Sequence, residues 1–479
     1  MYYLKGIHTS APTATQTPMS ESLTDLQRAI VEAPLQGEIV VGGAAGSGKT
    51  TAAIHRAAYL CDHTLRRSNE STVLFLCFNR TLEAAIQQRV ATFPSRVFSR
   101  VQVSTVHSWC WPYVKRQLPD IAVLSSERER RALLRDAIQA ARYIYGDIEV
   151  FARDTQLFLD ELRLIKGGGL RDLDAYLDQS IARTGALSVE DYTAIYAVAQ
   201  QYDRLLRERC QIDYDDFALL ALAAIQSTRS TARCDHVIVD EAQDLSDRQI
   251  ALARSIARQS LLLIADQDQT IYRVTRLPDS LPAPAQYDIV LSESLRTTAT
   301  IFAHARRLLP EGDQSVLPAR DGPPPIYLPF RWSDEEAGAV AELVRHLLAE
   351  GVAAEAIGVL ARRWDILDPV ATALHALGIP AVAEHGDTYE PGVRLTTIHG
   401  TKGREFDAVI IIGLVEGVLP SIRPDMDRVA ASQELAIARR QLYVAMTRAR
   451  HRLWLTSSEG RPSRLLDEIG LRDCASVPR

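Results

Sequence analysis

The stretch Val41 to Thr51 reads V-G-G-A-A-G-S-G-K-T-T, and the rest of the chain is organised around it. It contains the pattern G-x-x-x-x-G-K-[ST], whose glycines let the backbone turn its N–H groups inward, toward phosphate oxygens. An apolar stretch precedes it and an alanine-rich stretch follows, as a strand–loop–helix unit requires. The residues predicted to bind a nucleotide are Gly43, Ala44, Ala45, Gly46, Ser47, Gly48, Lys49, Thr50 and Thr51.

Two side chains of this loop have specific expected roles. Lys49 is long enough to reach the β- and γ-phosphates of ATP, and the Thr50 hydroxyl is a suitable ligand for Mg²⁺. The alternative is a glycine-rich turn before an ordinary helix. Average residue usage produces such a match in on the order of one chain in a hundred, so the pattern predicts nucleotide binding.

Composition narrows the class of protein. The 479 residues allow roughly two to four domains. A net charge of −6 argues against a uniformly basic nucleic-acid coat, although it allows a local basic channel. The six cysteines form no C-x-x-C pair, so neither a zinc site nor a disulfide framework is indicated.

The ends and the apolar runs of the chain predict its location. No apolar run approaches the roughly twenty residues of a membrane span, and the N-terminus lacks the charged and apolar blocks of a signal peptide. We therefore expect a cytoplasmic protein that does not enter a membrane. Residues 1–20, rich in Ser, Thr and Pro, are expected to form a flexible tail.

A second chemical signal lies at the end of the apolar run His236–Val239, which is followed by Asp240 and Glu241. Adjacent carboxylates at a strand end suit a nucleotide hydrolase. One can hold Mg²⁺ through water, and the other can orient or deprotonate the attacking water. A D-E pair after a strand is a weak signal alone, but it becomes strong when a phosphate loop lies upstream.

Polar side chains follow other predicted strands. Asn79 follows T-V-L-F-L-C-F, and His107 lies in T-V-H-S-W at the end of the next strand. Open α/β sheets bind ligands at these strand ends, but a lone histidine is usually structural, so both interpretations of His107 stay open. Gln269 lies beyond a further strand, where its amide could sense the γ-phosphate. Gln27, upstream of the loop, is either a solvated helix residue or a ligand of the adenine edge.

The remaining chain divides into a helical part and a second α/β part. Between about residues 112 and 209 helical periodicity replaces strand-like runs, which predicts an α-helical insertion. Strands and helices alternate again toward the C-terminus, where a basic cluster suggests a nearby anion. A helix dipole explains only two of its members. The cluster comprises Arg439, Arg440, Arg448, Arg450 and Arg452. We expect nucleotide between two α/β halves, with arginines of the second half stabilising transition-state charge.

Taken in order, these segments resemble the motifs of the UvrD/Rep-like branch of superfamily 1 DNA helicases. The resemblance extends over about Leu23 to Ile469, and the ordered set makes coincidence negligible. The matching elements are L-T-D-L-Q with Gln27 (Q motif), G-G-A-A-G-S-G-K-T (I), Phe78–Arg80 (Ia), Thr105–Ser108 (T-F-H-S), Ile212–Phe217 (acidic segment), Val239–Asp244 (II), Ala265–Tyr272 (III), Leu295–Thr297 (IV), Thr397–Phe406 (V) and Tyr443–Ala449 (VI).

The resemblance implies an α/β fold with two tandem RecA-like P-loop NTPase domains, each a parallel sheet flanked by helices. Domain 1A would comprise residues 21–110 and 210–285, interrupted by a helical 1B-like insertion at 111–209. Domain 2A would comprise residues 286–479. Only Ala381–Gly392 stand where the family carries its large 2B domain, so we expect that domain to be missing.

The resemblance also implies roles for matching residues. Asp240 would hold the metal and Glu241 would activate water, while Glu405 would contact the ribose. Residues that would sense or stabilise the γ-phosphate are Gln269, Arg296 and Arg448. Residues in elements that line the single-strand track of the family are Asn79, Thr105, His107, His399 and Lys402.

Two departures from the family pattern affect base contacts. The family often places Arg and Tyr around the adenine, where this chain has Thr51 and Leu295, so adenine selectivity falls to Gln27. After motif III, R-V-T-R-L follows Tyr272 in place of an aromatic and R-G-A, which removes a base-stacking group worth roughly 1–3 kcal/mol.

The predicted function is an ATP-dependent translocase or helicase on single-stranded DNA, moving 3′ to 5′ and acting in repair, recombination or defence. Tailed or forked duplex would be further substrates, and an RNA substrate is a weaker alternative. A different class of function is an ATP-gated DNA-binding subunit of a nuclease-containing complex, with little unwinding of its own. The missing 2B domain keeps this alternative open.

Overall fold

The structure is a computed structural model, and it describes residues 23–43, 46–65, 72–153, 155–170, 172–184, 187–227, 234–265, 287–291, 297–309, 318, 320–383, 391–401, 404–423, 426, 428–458 and 460–472. The tail expected at residues 1–20 lies outside them. The strands are β1 (Gly37–Gly43), β2 (Val73–Cys77), β3 (Val101–Thr105), β4 (Ala122–Val123), β5 (Gln211–Ile212), β6 (Cys234–Val239), β7 (Ala257–Ile264), β8 (Tyr287–Leu291), β9 (Ile326–Pro329), β10 (Ile357–Ala361), β11 (Ala381–Ala383), β12 (Val393–Thr397), β13 (Phe406–Ile411) and β14 (Ala449–Ser457).

The helices alternate with these strands in both halves of the chain. They are α1 (Asp25–Val31), α2 (Lys49–Leu65), α3 (Arg80–Val90), α4 (Ser95–Phe98), α5 (Val106–Gln117), α6 (Glu127–Tyr145), α7 (Thr155–Gly168), α8 (Leu173–Thr184), α9 (Val189–Glu208), α10 (Phe217–Ser227), α11 (Asp247–Ile256), α12 (Ala299–Ala305), α13 (Ser333–Ala349), α14 (Trp364–Ala376), α15 (Arg428–Met446) and α16 (Leu465–Glu468). Among the described residues, no helix has the length and apolar character needed to cross a membrane.

The first lobe is built on a parallel sheet with the order β3-β2-β6-β7-β1-β8 in the described part of the chain. Alternate residues of its strands face two cores. Phe75 packs with α2 and α3 on one side, and Leu74 packs with α5, α10 and α11 on the other. Both faces are therefore covered, which is why the strands are continuous apolar runs rather than alternating ones.

Strand β8 belongs to this first sheet, because Gly43 of β1 pairs with Leu291 of β8. The boundary predicted at residue 285 is therefore wrong, and the first lobe extends at least to Leu291. The local sequence of β8 marks it as a strand, but which sheet it joins depends on contacts with a strand about 250 positions away.

The helical insertion has its own hydrophobic core, which runs from Leu124 to Leu206 and includes α6, α7, α8 and α9. The short parallel pair β4 and β5 closes its base. The boundary predicted at residue 110 falls inside α5. Because Trp109 and Val114 of that helix pack in the core of the first lobe, the insertion begins after α5.

The second lobe is a parallel sheet with the order β11-β12-β10-β13-β14-β9 in the described residues. Leu360 and Val359 of β10 face opposite cores, so this sheet too is covered on both faces. Strand β9 follows the proline-rich stretch 322–325. It lies at the sheet edge, where Pro329 does not interrupt an interior ladder. The predicted α/β fold class with two parallel sheets is confirmed.

Candidate ATP site and nucleic-acid edge

The phosphate loop joins the end of β1 to the start of α2. Gly43 has φ +146°, and a Cβ there would lie 2.3 Å from the Leu291 carbonyl oxygen, so only glycine fits beside β8. Gly46 and Gly48 have φ +75° and +81°, the left-handed region that glycine adopts most easily. Ala44 and Ala45 lie outside the described residues. The described glycines of the loop therefore have the positive φ angles for which the motif reserves glycine.

Two polar side chains of the loop, Lys49 and Ser47, bear on phosphate binding. The Lys49 ammonium donates a 2.6 Å hydrogen bond to the Gly43 carbonyl, which holds it across the loop. The Ser47 hydroxyl is buried and has no hydrogen-bond partner among the described residues. A buried hydroxyl without a partner is costly, and a phosphate oxygen would satisfy it.

Thr50 and Asp240 lie together at the carboxyl edge of the first sheet. The Thr50 hydroxyl donates a 2.7 Å hydrogen bond to Oδ2 of Asp240, which is fully buried. Burial and the adjacent Glu241 raise the pKa of Asp240, while the Thr50 hydrogen bond and Lys49 lower it. A hydroxyl beside a buried carboxylate is an oxygen donor pair of the kind that Mg²⁺ prefers. These residues therefore fit the predicted metal.

Glu241 has a left-handed backbone conformation, with φ +56°. This conformation costs a non-glycine residue on the order of 1–2 kcal/mol, and such residues cluster at functional sites. Its N–H donates to Oδ1 of Asp240 at 3.0 Å, and its side chain accepts a hydrogen bond from the Gln243 amide. Gln243 was not predicted as a site residue, although its place in V-D-E-A-Q-D was the available signal.

Gln27 is fixed against the phosphate loop by both ends of its amide. Its Oε1 accepts from the Thr24 N–H at 3.1 Å, in a capping box of α1, and its Nε2 donates to the Ser47 carbonyl at 3.1 Å. An amide has two donor hydrogens and two acceptor lone pairs, so one of each remains for an adenine edge. Thr51 accepts a 3.1 Å hydrogen bond from Arg89.

Arg56 connects α1 to the helix of the phosphate loop and was not predicted from the sequence. Its guanidinium is fully buried and donates to four carbonyls at the end of α1, those of Ile30, Val31, Ala33 and Pro34, at 2.7–3.1 Å. Burial lowers the pKa of Arg56 to about 10, so it stays charged at neutral pH. The carboxyl end of a helix favours such a cation.

Residues predicted on the strand track cap the helices that leave β2 and β3. Asn79 accepts a 2.8 Å hydrogen bond from the Leu82 N–H at the start of α3. Thr105 accepts from the Ser108 N–H at 3.1 Å and donates to the Ser108 hydroxyl at 2.8 Å, at the start of α5. Asn79 and Thr105 therefore each cap the helix that follows their strand. This role is separate from any contact with a ligand.

His107 lies in an aromatic group at this edge. Its ring is 5.1 Å from that of Tyr214 and 5.7 Å from that of Phe217. Burial lowers the pKa of His107, although Asp215 and Asp213 raise it, so the ring is neutral at pH 7. Tyr214, missed by the sequence analysis except as part of the acidic segment, is 43% exposed.

The predicted residues of the second lobe lie on two loops and one helix end. His399 Nε2 is 3.2 Å from Gln441 Nε2, and the Glu405 carboxylate accepts a 2.8 Å hydrogen bond from Arg450. Arg448 is 1% exposed, and its Nε donates to the Val444 carbonyl at 3.1 Å. Gln269, Arg296 and Lys402 lie outside the described residues.

The arginines of the C-terminal cluster are not collectively available to one anion. Arg439 pairs with Glu468, and Arg452 pairs with Glu350. Arg450 is committed to Glu405 as described above. The cluster also spans α15 and the start of β14, because the helix ends at Met446 and both Arg450 and Arg452 lie in β14. Carboxylates on neighbouring elements therefore account for the charges of Arg439, Arg450 and Arg452, whereas the buried Arg448 donates to a backbone carbonyl.

A phosphate loop that faces a buried aspartate across the edge of a parallel sheet defines a P-loop nucleoside triphosphatase, here with a second α/β lobe. Residues 23–275 match the UvrD/REP helicase N-terminal domain, and residues 383–460 match the UvrD-like helicase C-terminal domain. The first match covers more than half of the chain. The chain therefore belongs to the UvrD/Rep helicase family, a class of ATP-dependent DNA helicases.

Named relatives agree with this family. The chain is 25% identical over 467 residues to a probable DNA helicase of Mycoplasma pneumoniae, covering 91% of this chain and 83% of that protein. It is 24% identical over 533 residues to DNA helicase IV of Escherichia coli, covering 96% and 74%. The match to ATP-dependent DNA helicase UvrD1 of Mycobacterium tuberculosis is 27% over 295 residues, covering 57% of this chain and 37% of that protein.

Proposed function

We propose that this protein is an ATP-driven translocase on single-stranded DNA that moves in the 3′ to 5′ direction. The observation that carries the proposal is the contact of Thr50 with the buried Asp240, because it assembles a hydrolytic nucleotide site in a chain of the UvrD/Rep family. ATP binding would close the two lobes, and hydrolysis would reopen them. Alternating grip on the strand would produce the step.

The residues of the first lobe have defined tasks in hydrolysis. Lys49 would exchange its hydrogen bond with the Gly43 carbonyl for one with the β- and γ-phosphates. Thr50 and Asp240 would hold Mg²⁺, which supplies neutralisation of phosphate charge. Glu241 would take the proton of the attacking water, and its bond with Gln243 keeps the carboxylate oriented.

The single strand would pass the carboxyl edge of the first sheet. We include Thr105 and His107 at this edge, as the family resemblance implies, and we add Tyr214, whose exposed ring lies beside the His107 imidazole. Because His107 is neutral, contact with the strand would depend on stacking rather than on charge. A stacked base is worth roughly 1–3 kcal/mol, so Tyr214 compensates for the aromatic that is missing after motif III.

We further propose that the isolated chain separates duplex weakly. Strand β11 ends at Ala383 and β12 begins at Val393, so residues 384–392 connect them. Independent domains need roughly 40 residues or more, which supports the absence of a 2B domain at this position. A partner protein, such as a nuclease, would then contribute to processing of the DNA.

The proposal is tested by ATPase and unwinding assays on one preparation, with single-stranded, tailed and forked DNA, and with RNA of the same sequence. Single-stranded DNA should strongly stimulate ATP turnover, and the Lys49→Ala variant should have no ATP turnover. Displacement of streptavidin from a 5′-biotin but not from a 3′-biotin would confirm the direction. If nucleic acid of any kind leaves turnover unchanged, the proposal is wrong. Stimulation without displacement, together with a co-purifying nuclease, would favour the regulatory subunit instead.

A further inference from the structure

The acidic turn before α10 is held by two cations from the helical insertion. Lys166 of α7 has its Nζ 2.8 Å from Oδ1 of Asp213 and 2.9 Å from Oδ2 of Asp216. Arg130 of α6 is hydrogen-bonded to Asp215, and its Nη2 lies 3.7 Å from Oδ2 of Asp213. We call these five residues the aspartate clamp.

The clamp is buried, unlike an ordinary surface ion pair. Lys166 and Asp213 are 5% and 1% exposed, and Asp213 also accepts a 3.2 Å hydrogen bond from the Tyr202 hydroxyl. Burial disfavours the charge of Lys166, but Asp213 and Asp216 more than reverse this and raise its pKa. Two cations thus face three carboxylates in a largely buried network, and removal of one partner would leave a buried charge without its counterion.

Two residues of the clamp flank Tyr214 in the sequence. Asp213 precedes it and Asp215 follows it, and the three residues lie in or beside the short turn Tyr214–Asp216. Within the turn, Asp216 Oδ2 accepts from the Asp213 N–H and Asp213 Oδ1 accepts from the Asp215 N–H, both at 3.1 Å. The carboxylates that shape the turn are therefore the ones that Lys166 contacts. The Tyr214 ring lies 5.1 Å from the His107 ring and 5.4 Å from the Phe217 ring. Lys166 and Arg130 thus hold the turn whose aromatic side chain, Tyr214, lies beside His107 at the carboxyl edge of the first sheet.

We propose that Lys166 and Arg130 are positioning residues for strand binding, so that the helical insertion holds Tyr214 beside His107 in the geometry that stacks an unpaired base. This inference rests on the proposed function. According to this inference, the helical insertion contributes to DNA binding at the carboxyl edge of the first sheet, through two cations that contact one turn. It also accounts for three carboxylates within four positions beside the proposed nucleic-acid edge, because Asp213, Asp215 and Asp216 contact cations of the insertion.

The helix α6 offers a matched pair of variants at adjacent positions. Arg130 reaches the acidic turn, whereas Arg131 pairs with Glu127 one turn away on its own helix. Arg130→Met should raise the DNA concentration that half-saturates ATPase about tenfold, with turnover at saturating DNA within about twofold of wild type. Arg131→Met should change neither value. Conservative Lys166→Arg should retain most of the DNA affinity.

A double-mutant cycle separates positioning from simple loss of stability. If Arg130 acts through Tyr214, Arg130→Met should add less than about twofold in a Tyr214→Ala background. Thermal unfolding identifies a variant that does not fold, in which case Asp215→Asn, which weakens the same clamp at nearly constant volume, replaces Arg130→Met. A full tenfold effect in the Tyr214→Ala background would overturn the inference, as would equal effects of Arg130→Met and Arg131→Met.

The same assays distinguish failure of this inference from failure of the proposed function. Wild-type protein whose ATPase does not respond to DNA would refute the function itself. A wild-type response that Arg130→Met, or its replacement Asp215→Asn, leaves unchanged would refute only the role of the clamp.

Discussion

The Thr50 hydroxyl donates a 2.7 Å hydrogen bond to Oδ2 of Asp240, which lies 190 positions further along the chain. Thr50 belongs to the first turn of α2, and Asp240 follows the last residue of β6. Their strands β1 and β6 are separated in the sheet by β7, so the contact forms only when the parallel sheet is assembled. The oxygen pair for Mg²⁺ is therefore a product of sheet topology.

Removal of the Thr50 hydroxyl should weaken the use of Mg²⁺. We expect Thr50→Val, which keeps the side-chain shape, to raise the Mg²⁺ concentration for half-maximal ATPase by about tenfold. Thr51→Val is the matched comparison, because its hydroxyl faces Arg89 rather than Asp240, and it should shift the Mg²⁺ requirement less. A Mg²⁺ titration of ATPase measures both. Equal shifts for the two variants would contradict the assignment of Thr50.

Loss of the Glu241 carboxylate should abolish turnover and leave ATP binding intact. Glu241→Gln keeps the volume and can still bond Gln243, but it removes the proton acceptor for water. Lys49→Ala, by contrast, should lose both turnover and nucleotide affinity. ATPase assays and titration with a fluorescent ATP analogue separate these outcomes. Normal hydrolysis by Glu241→Gln would exclude Glu241 as the base.

Arg448 should contribute to hydrolysis more than to nucleotide affinity. We expect Arg448→Ala to slow turnover on the order of a hundredfold or more, as for loss of a cation that stabilises transition-state charge. Arg452→Ala, which removes a surface pair with Glu350, is the control and should retain near-normal turnover. Single-turnover kinetics and nucleotide titration give both quantities. An effect confined to affinity would refute the transition-state role of Arg448.

Arg56 should stabilise the first lobe through α1. Arg56→Met leaves four helix-end carbonyls without their donor, and we expect a loss of roughly 2–4 kcal/mol of unfolding free energy. Arg96→Met, which removes an exposed partner of Asp62, should change stability by less than about 0.5 kcal/mol. Urea unfolding measures the difference. Equal stability of the two variants would show that the carbonyl contacts of Arg56 contribute nothing.

His236 should make the first lobe sensitive to acid. Burial, with Arg56 nearby, lowers its pKa from 6.5 to about 4, against the opposing effect of Asp235. Of its two ring nitrogens, only Nδ1 has a hydrogen-bond partner among the described residues, the Ser260 hydroxyl. The unfolded chain therefore binds the proton more readily. Neutral His236 therefore contributes about 3 kcal/mol to the free energy of unfolding above pH 6.5, and this contribution is lost as the pH falls toward 4.

The variant His236→Asn tests this linkage, because it has no titrating group. Unfolding free energy measured at several pH values between about 4 and 7 should rise less steeply with pH than in the wild type. His375→Asn, at an exposed position of α14, should keep the wild-type slope. An unchanged slope in His236→Asn would show that other groups determine the acid response.

The sequence was most informative where a local pattern has a single physical cause. The glycines before Lys49 predicted the backbone path of the loop, since Gly43 and Gly48 have positive φ angles that other residues rarely adopt. The apolar runs that became β2 and β6 predicted strands buried on both faces. The D-E pair after β6 predicted the site of the metal and the base, whose assigned chemistry stays a prediction until it is measured.

Local sequence patterns did not predict which distant segments of the chain pair with one another. Nothing near Tyr287 indicates that β8 joins the first sheet, and nothing near Arg450 indicates its pairing with Glu405. The placement of Tyr214 beside His107 likewise depends on the packing of α10 against α5. These relationships depend on which surfaces meet when the chain folds.

By itself, then, the sequence determined the chemistry available to this protein: a phosphate loop, two carboxylates and polar residues at strand ends. Local steric and hydrophobic rules suffice for that, because each concerns residues that are neighbours in the chain. Only the tertiary structure decided which groups act together, including Thr50 with Asp240 and Lys166 with the acidic turn around Tyr214. Those partners are distant in sequence, and the parallel sheet and the inserted helices bring them together.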